Sequence, residues 1–443
     1  MTSTNSELSL DRYAELTARF TADPTARVAQ NAVSTTNADK LSLDRQVITS
    51  IDTSVSNKVD AWKVSNQKQS GRCWLFSGLN LLRSQLIKDL KLAPDFELSQ
   101  NYLHFFDKLE KANWFLASMA EMADRDIDDR TVHQMLADPI SDGGQWDMFV
   151  SLVNKYGVVP KYAMPETDSS SQTRVMNRRL QEILRRGALI MREAAARGDA
   201  DTARNSILAQ VHRVLSIHLG TPVASFLWQY RDKDNNFTRV GQMTPVEFAR
   251  DVVTVKPSDY VCLVNDPRES SGFNQMLTVD RLGNVVGGQP IRYLNVEIDQ
   301  IKKITADQIQ AGHPVWFGCD VLPQFDRDIG YWDLHLHDYE GLYGIDMGTT
   351  KADRMITGAS AMTHAMMFTG VDLLDGSPRR WRVENSWGDE HADKGFFTMN
   401  DSWFDQFVFE VAVPRDALDA DQLKTLDTEP KVLPLWDPMG ALA

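Results

Sequence analysis

The sequence predicts an α+β protein, mainly helical in its first half and built from short strands in its last third. After Cys73, apolar residues recur every three or four positions, as on one buried face of a helix. The same spacing recurs between about residues 174 and 218. From about residue 301 to 413, short apolar runs alternate with turns, a pattern typical of a small antiparallel barrel.

Length and composition narrow the possible classes of protein. The 443 residues are enough for two or three domains, and 42% hydrophobic with 24% charged residues is typical of a globular chain. The net charge of −14 disfavours a nucleic-acid-binding protein. Three cysteines are too few for a disulfide scaffold and fit a reducing compartment. The sequence contains no uninterrupted run of 18 apolar residues, so we expect no membrane span.

Residues 1–60 are polar, and we interpret them as an N-terminal arm. The residues Leu10, Tyr13, Leu16 and Phe20 predict one short helix that ends at Asp23-Pro24, with an extended segment after it. The first residues lack the apolar region of a signal peptide, so we expect a cytoplasmic protein.

The stretch NQKQSGRCWLFSGLNLL, residues 66–82, carries the clearest chemical signal. Ser70 and Gly71 indicate a loop, which places Cys73 in the first turn of the following helix. The partial positive charge of a helix N-terminus favours the nucleophilic thiolate. Gln67, together with the N–H of Cys73, can donate hydrogen bonds to a developing oxyanion. The structural alternative is a buried cysteine that acts as a small apolar residue.

A thiol enzyme also needs a base and a group that orients the base. His364 lies in the apolar segment SAMTHAMMFTGV, which is typical of a strand, and Asn385 lies in WRVENSWGDE, where a strand enters a turn. The Asn385 oxygen can accept from one ring N–H of His364 and leave the other nitrogen facing the sulfur. A single histidine in an apolar strand is usually a core residue, so the hypothesis depends on the combination of all four residues.

The segments NQKQSGRCW, THAM and ENSWG resemble the active-site blocks of papain-like cysteine peptidases. Within that superfamily, SGRCW and the final DPMGALA resemble the bleomycin hydrolase and aminopeptidase C branch. The resemblance implies a papain-like fold with two lobes, one helical and one barrel-like, and a peptide-binding cleft between them. It implies thioester chemistry without a cofactor, and a homohexamer whose active sites face an internal cavity. Secreted papain-like enzymes have a second cysteine where this chain has Ser70, which fits an intracellular relative.

Gly143 and Gly144 precede an amphipathic helical pattern. In papain-like enzymes, a Gly-Gly pair at the corresponding place binds the substrate backbone, and glycine allows such a close approach. The alternative is a glycine-rich helix entry with no role in binding.

The middle of the chain is longer than the papain pattern requires. Cys73 and His364 are 291 residues apart, whereas that pattern has roughly 130–150 between them. Residues 165–300 are therefore interpreted as a mainly helical insertion between a helical lobe at 61–164 and a barrel-like lobe at 301–413. The insertion carries many arginines between Arg174 and Arg197, which we interpret mainly as a solvated face and secondly as a contact between subunits.

Residues 414–443 form a C-terminal arm that should be buried. The arm is acidic and predicted helical up to about Lys424. Beyond it, Pro430, Pro434 and Pro438 exclude a regular helix, yet this part is too apolar to remain in water. In the branch that the chain resembles, this tail enters the cleft and its terminal carboxylate pairs with the α-ammonium group of the substrate. The resemblance therefore implies that Ala443 restricts cleavage to the first peptide bond.

Several alternatives stay open. The nearest is a papain-like endopeptidase, which differs only in whether the tail occupies the cleft. An acyltransferase with a Cys-His-acid triad is disfavoured by Asn385, and a non-catalytic assembly or nucleic-acid-binding scaffold by the complete set of four residues. His335 and His337 could begin a metal site, but the sequence offers no obvious third and fourth ligands, so we expect no metal. Cys319 is interpreted as a structural residue.

Overall fold

A computed structural model, which describes residues 7–60 and 62–442, begins with a series of short helices. They are α1 (Leu10–Ala22), α2 (Pro24–Val33), α3 (Ala38–Ser42) and α4 (Arg45–Ser50). The prediction of a single helix followed by an extended segment was therefore wrong. Asp23-Pro24 ends α1 but also begins α2, because the Asp23 carboxylate accepts hydrogen bonds from the N–H groups of Thr25 and Ala26. Pro24 suits the first turn of a helix, where no N–H is needed.

The helical lobe follows a short strand, β1 (Asn57–Lys58). Its helices are α5 (Cys73–Leu90), α6 (Gln100–Glu121), α7 (Arg130–Ala137) and α8 (Trp146–Tyr156). Gly157, with φ of +68°, ends α8. Ser99 caps α6, as its hydroxyl accepts from the N–H of Tyr102.

A second helical region packs against α6. It contains α9 (Asp168–Ser171), α10 (Arg174–Arg197) and α11 (Ala200–Leu219), then the hairpin β2 (Phe226–Arg231) and β3 (Phe237–Met243), and α12 (Pro245–Asp251). Two of its arginines have a structural function, because Arg185 donates to the carbonyl groups of Leu136 and Ala137 and Arg192 donates to that of Met122. These arginines bind carbonyl groups at or near the ends of α7 and α6.

The remaining strands form one mixed sheet. They are β4 (Tyr260–Val264), β5 (Gln275–Val279), β6 (Tyr293–Asn295), β7 (Val315–Cys319), β8 (Phe325–Asp326), β9 (Tyr331–Trp332), β10 (His364–Leu374), β11 (Ser377–Glu384), β12 (Phe396–Asn400), β13 (Val408–Pro414) and β14 (Lys431–Leu433). Their order is β14-β5-β6-β4-β13-β7-β10-β11-β12-β9-β8, and β1 pairs with β10. Most neighbours are antiparallel, but β14 with β5, β4 with β6 and β12 with β9 are parallel. The helices between them are α13 (Ile298–Gln310), α14 (Tyr339–Tyr343), α15 (Lys351–Thr357), α16 (Asp401–Phe407) and α17 (Ala420–Thr425).

The two lobes meet along α5. This helix contacts α6 and α8 on one side and β7 and β10 on the other, so it is buried all round rather than along the one face that its spacing predicted. Polar contacts also cross the junction, since Trp316 Nε1 donates to the Trp74 carbonyl (3.3 Å) and Ser77 Oγ donates to that of Ala365 (3.2 Å). The N-terminal end of α5 therefore lies at the boundary between the lobes.

Residues 260–295, which the sequence analysis grouped with the helical insertion, contribute β4, β5 and β6 to the sheet. The helical part of that region ends with α12. Within the described ranges, no helix is both long and apolar enough to cross a membrane.

Candidate active site

The predicted nucleophile lies where the two lobes meet. Cys73 is the first residue of α5, and its side chain is buried. The N–H of Ala365 donates to Cys73 Sγ at 3.4 Å, and Ala365 directly follows His364 at the beginning of β10. The fold thus brings together two parts of the sequence that are almost three hundred residues apart.

Burial and backbone amides act on Cys73 in opposite directions. Burial raises the pKa of the Cys73 thiol to about 11, although N–H groups of Ala365, Trp74 and Cys73 itself favour the thiolate. The carboxylate of Asp142 also raises this pKa. The backbone donors around the sulfur therefore oppose the effect of burial, and the thiolate at Cys73 remains a prediction.

His364 and Asn385 are joined by a hydrogen bond. Nε2–H of His364 donates to Asn385 Oδ1 at 3.0 Å, as the sequence analysis predicted, which leaves Nδ1 as the other ring nitrogen. Burial lowers the pKa of His364 to about 4, and the bond to Asn385 opposes that shift. The ring of Trp387 covers this pair, with its centroid 5.2 Å from that of His364, and excludes water from the bond.

Gln67 is held between the loop before α5 and the turn after β11. Its Nε2 donates to the Ser70 carbonyl, its Oε1 accepts from Ser386 Oγ, and each of these distances is 2.5 Å. Its backbone N–H donates to the Ser386 carbonyl at 2.8 Å. The amide nitrogen has a second proton, and its donation to an oxyanion remains a prediction.

Comparisons with known proteins identify the family of the chain. Residues 7–440 match the model of the Peptidase C1-like family. The chain belongs to this family. Aminopeptidase C of Listeria innocua serovar 6a is 47% identical over 390 residues, which are 88% of this chain and 88% of that protein. Bleomycin hydrolase of Homo sapiens is 40% identical over 455 residues, covering 99% of each chain.

Among solved structures, PepW from Lactobacillus rhamnosis has a TM-score of 0.97 at 40% identity and covers 99% of this chain and 100% of its own. The predicted α+β papain-like fold and the resemblance to the bleomycin hydrolase and aminopeptidase C branch are confirmed. The chain is a cysteine-type peptidase of this Peptidase C1-like family.

Gly143 and Gly144 lie just before α8, beside the nucleophile. A Cβ atom on Gly144 would lie 2.5 Å from the ring of Trp74, so this position needs glycine for packing alone. The Gly143 carbonyl accepts from Lys111 Nζ. Contact of these two glycines with substrate remains a prediction.

The sequence analysis missed two further groups beside this peptidase site. Ser386 holds Gln67, and Glu384 accepts from Trp62 Nε1 (2.7 Å) and from Asn80 Nδ2 (2.8 Å) of α5. Burial raises the pKa of Glu384 to about 7. Both residues flank Asn385 in the sequence, but their partners are distant along the chain and only the fold shows them.

The C-terminal arm packs against the sheet but is only partly buried, since Val432 and Trp436 are 60% and 38% exposed. After β14, Asp437 forms a paired contact with Arg268, with both distances 2.9 Å. The N–H of Met362, two residues before His364, donates to the Pro438 carbonyl at 3.1 Å. Met439 and Leu442 are buried, whereas Ala443 lies outside the described residues.

His335 lies in a turn, and His337 forms an isolated antiparallel β-bridge with Leu43 of the N-terminal arm. His337 Nδ1 is 3.0 Å from Ser42 Oγ, so this histidine joins the N-terminal arm to the barrel-like lobe. The described residues include no group of three or more histidine, cysteine or acidic side chains that could hold a metal ion. Cys319 is fully buried in β7, opposite His364.

Proposed function

We propose that this cysteine-type aminopeptidase removes N-terminal residues from peptides by acyl transfer through Cys73, His364, Asn385 and Gln67. The observation that carries the proposal is the contact of Cys73 Sγ with the N–H that follows His364, together with the hydrogen bond from His364 to Asn385. A nucleophile, a base and a group that orients the base are the minimum set for a thiol enzyme.

In the proposed reaction, the Cys73 thiolate, paired with the His364 imidazolium, attacks the first peptide carbonyl. The Cys73 N–H and the second Nε2 proton of Gln67 stabilise the oxyanion, and each such donor contributes about 2.7–4 kcal/mol. His364 then protonates the leaving amine, and the C–N bond breaks to give a thioester. A water molecule, deprotonated by His364, hydrolyses the thioester and releases the first residue.

We also propose that the C-terminal arm limits the reaction to the N-terminus. The contact between Pro438 and Met362 and the burial of Met439 and Leu442 support a tail that approaches the site. The carboxylate of Ala443 would pair with the α-ammonium of the substrate and exclude longer chains on that side. Gly143 and Gly144 would bind the substrate backbone.

One experiment tests the tail. Hydrolysis of the same peptide with a free and with an acetylated N-terminus is compared for the full chain and for a chain that lacks residues 440–443. We expect the full chain to cleave the free peptide only, and the shortened chain to cleave both. Equal cleavage of the acetylated peptide by both proteins would refute the role of the tail and favour a papain-like endopeptidase.

A second experiment tests the nucleophile. Cys73→Ala should lose peptide hydrolysis by at least about 10⁴-fold, because removal of a covalent nucleophile is the most damaging single change in such sites. Cys262→Ala is the matched control, since Cys262 is also a buried free cysteine but lies in β4, away from the site. Thermal unfolding of both variants checks that they fold. Turnover by Cys73→Ala equal to that of the control would exclude the mechanism.

Assembly into a homohexamer and a cytoplasmic location are further proposals. The apolar residues Leu10, Tyr13 and Phe20 of α1 are exposed in the single chain, which supports an association through the arm. Sedimentation over a range of protein concentrations tests the assembly, and a monomer at all concentrations would contradict it.

A further inference from the structure

The carboxylate of Asp142, the residue directly before Gly143, contacts four polar groups. Its Oδ1 contacts Lys108 Nζ (2.7 Å) and Asn177 Nδ2 (2.8 Å). Its Oδ2 accepts from Thr173 Oγ1 (2.5 Å) and from the N–H of Gly71 (3.2 Å). Burial would raise the pKa of Asp142, but the Lys108 ammonium and the hydrogen bonds outweigh it and hold that pKa well below its usual range.

The same residue contacts the chain on both sides of the nucleophile. Gly71 lies two positions before Cys73, and Trp74, directly after it, donates its Nε1–H to the Asp142 carbonyl at 2.8 Å. The approach is close, since a Cβ atom on Gly71 would lie 2.9 Å from the Cβ of Asp142. The turn that carries Cys73 is therefore fixed to the segment that continues into Gly143 and Gly144.

We propose that Asp142 is a positioning residue that sets the distance between Cys73 and the substrate-binding edge at Gly143 and Gly144. This inference rests on the proposed function. A displacement of about 1 Å between a nucleophile and its bound substrate can cost on the order of 100-fold in rate, and three side chains from α6 and from residues 173–177 hold the Asp142 carboxylate in place.

The negative charge of Asp142 indicates that this residue positions the turn that carries Cys73 and does not activate the thiol. The carboxylate raises the pKa of Cys73, so it hinders formation of the thiolate rather than promoting it. The titratable groups that interact electrostatically with Asp142 are His104, Lys108 and Lys111 of α6 and Cys73, the first residue of α5. An acidic group that opposes thiolate formation and yet has four polar partners contributes through its hydrogen bonds to the turn.

Asp142→Ala tests the proposal with two readouts that should move in opposite directions. Turnover of a peptide with a free N-terminus is measured per alkylatable Cys73, and we expect kcat/KM to fall by about 10- to 100-fold. Alkylation of Cys73 by iodoacetamide, followed by peptide mass mapping at neutral pH, needs no substrate-binding edge. We expect this alkylation to become faster, because the opposing charge is gone. A larger unfolded population would also speed alkylation, so Cys262 and Cys319, which are likewise buried free cysteines, are followed in the same mass maps. Acceleration confined to Cys73 supports the proposal, and equal acceleration at all three cysteines contradicts it.

Two further variants complete the test. Asp142→Asn combined with Lys108→Met keeps an oxygen for the Gly71 N–H without leaving a buried ammonium unpaired, and we expect it to recover most of the lost kcat/KM. Asp129→Ala is the matched control, because Asp129 also accepts from backbone N–H groups, those of Thr131 and Val132, but caps α7 away from the site. It should leave kcat/KM within about twofold, as expected for a change remote from the reacting groups.

The proposal is overturned if Asp142→Ala keeps kcat/KM per active thiol within about twofold of the unchanged chain, or if alkylation slows together with turnover. It is also overturned if the double variant shows no recovery. Failure of the proposed function itself looks different, because Cys73→Ala would then retain turnover whatever residue stands at position 142.

Discussion

The two ends of the chain differ in how they are attached to the rest of the protein. In the described part of the N-terminal arm, α1 and α2 contain no buried residue. The C-terminal arm instead buries Leu433, Met439 and Leu442, adds β14 to the sheet and pairs Asp437 with Arg268. One end is ordered by local helix signals, and the other is held by tertiary contacts beside the active site.

The two arms differ because only the N-terminal helices can make their backbone hydrogen bonds without the rest of the protein. The helices α1 and α2 satisfy their backbone hydrogen bonds locally, with caps at Ser9 and Asp23, so they need no partner to form. After α17, Pro430, Pro434 and Pro438 prevent a regular helix, so the polar groups and apolar side chains of this part of the arm depend on β5, Arg268 and Met362. The C-terminal arm therefore cannot detach from the protein without losing most of its interactions.

The largest expected effect comes from loosening the C-terminal arm. Asp437→Ala removes two hydrogen bonds to Arg268 and the cap that its Oδ1 provides for the N–H of Met439. We expect the free energy of unfolding to fall by about 3 kcal/mol, since these are charge-assisted contacts in a buried place. Under the proposed function, hydrolysis of an N-terminally acetylated peptide should also become detectable.

The matched control for this change lies at the other end of the chain. Arg12 and Glu15 form an ion pair of similar length, 2.9 Å, on the exposed face of α1. Glu15→Ala should change the free energy of unfolding by less than about 0.5 kcal/mol, because exposed pairs contribute little. If Asp437→Ala and Glu15→Ala lowered the free energy of unfolding equally, the two arms would be attached equally strongly, and the proposed difference between them would be wrong.

The sequence predicted much of the site because its chemistry is carried by short motifs. Cys73 was correctly placed in the first turn of a helix, His364 in a strand, and Asn385 in a turn after a strand. The helices after Asp23-Pro24 were missed because one dipeptide can end one helix and begin the next. The roles of Asp142 and Glu384 could not be predicted, since their partners are far apart in the sequence and are brought together by packing of α5, α6 and β11.

A smaller change in the free energy of unfolding is expected from substitution of Glu410. This residue lies in the sheet near Met362, which contacts the C-terminal arm. Glu410 pairs with Gly318 in the sheet, and a Cβ atom on Gly318 would meet Met362 Sδ. Among the described residues, the carboxyl group of Glu410 has no polar neighbour closer than a weak contact with the Cys262 thiol. Burial raises the pKa of Glu410 to about 8 from an ordinary value of 4.5.

The direction of the pH effect follows from this shift. Between about pH 4.5 and 8, the unfolded chain has lost the Glu410 proton while the folded chain retains it, so stability falls as the pH rises through this interval. Glu410→Gln cannot ionise and should avoid this loss. Because one pKa unit corresponds to about 1.4 kcal/mol, we expect the variant to gain at least about 2 kcal/mol relative to the unchanged chain over the interval. Denaturant unfolding at several pH values measures the difference, and parallel curves for the two proteins would contradict the assignment.

The smallest effect on the folded chain should come from removing α1. A chain that starts at Asp23 loses the exposed apolar residues Leu10, Tyr13 and Phe20, yet keeps the bond between the N–H of Asp44 and the Leu336 carbonyl that anchors the rest of the arm. In dilute solution we expect its free energy of unfolding to stay within about 0.5 kcal/mol of that of the full chain, as for other surface changes. At high concentration the full chain should gain stability through association and the shortened chain should not, because binding to a second copy stabilises only the folded state. A large loss in dilute solution would instead mean that α1 belongs to the fold of the single chain, and the contrast between the two ends would then fail.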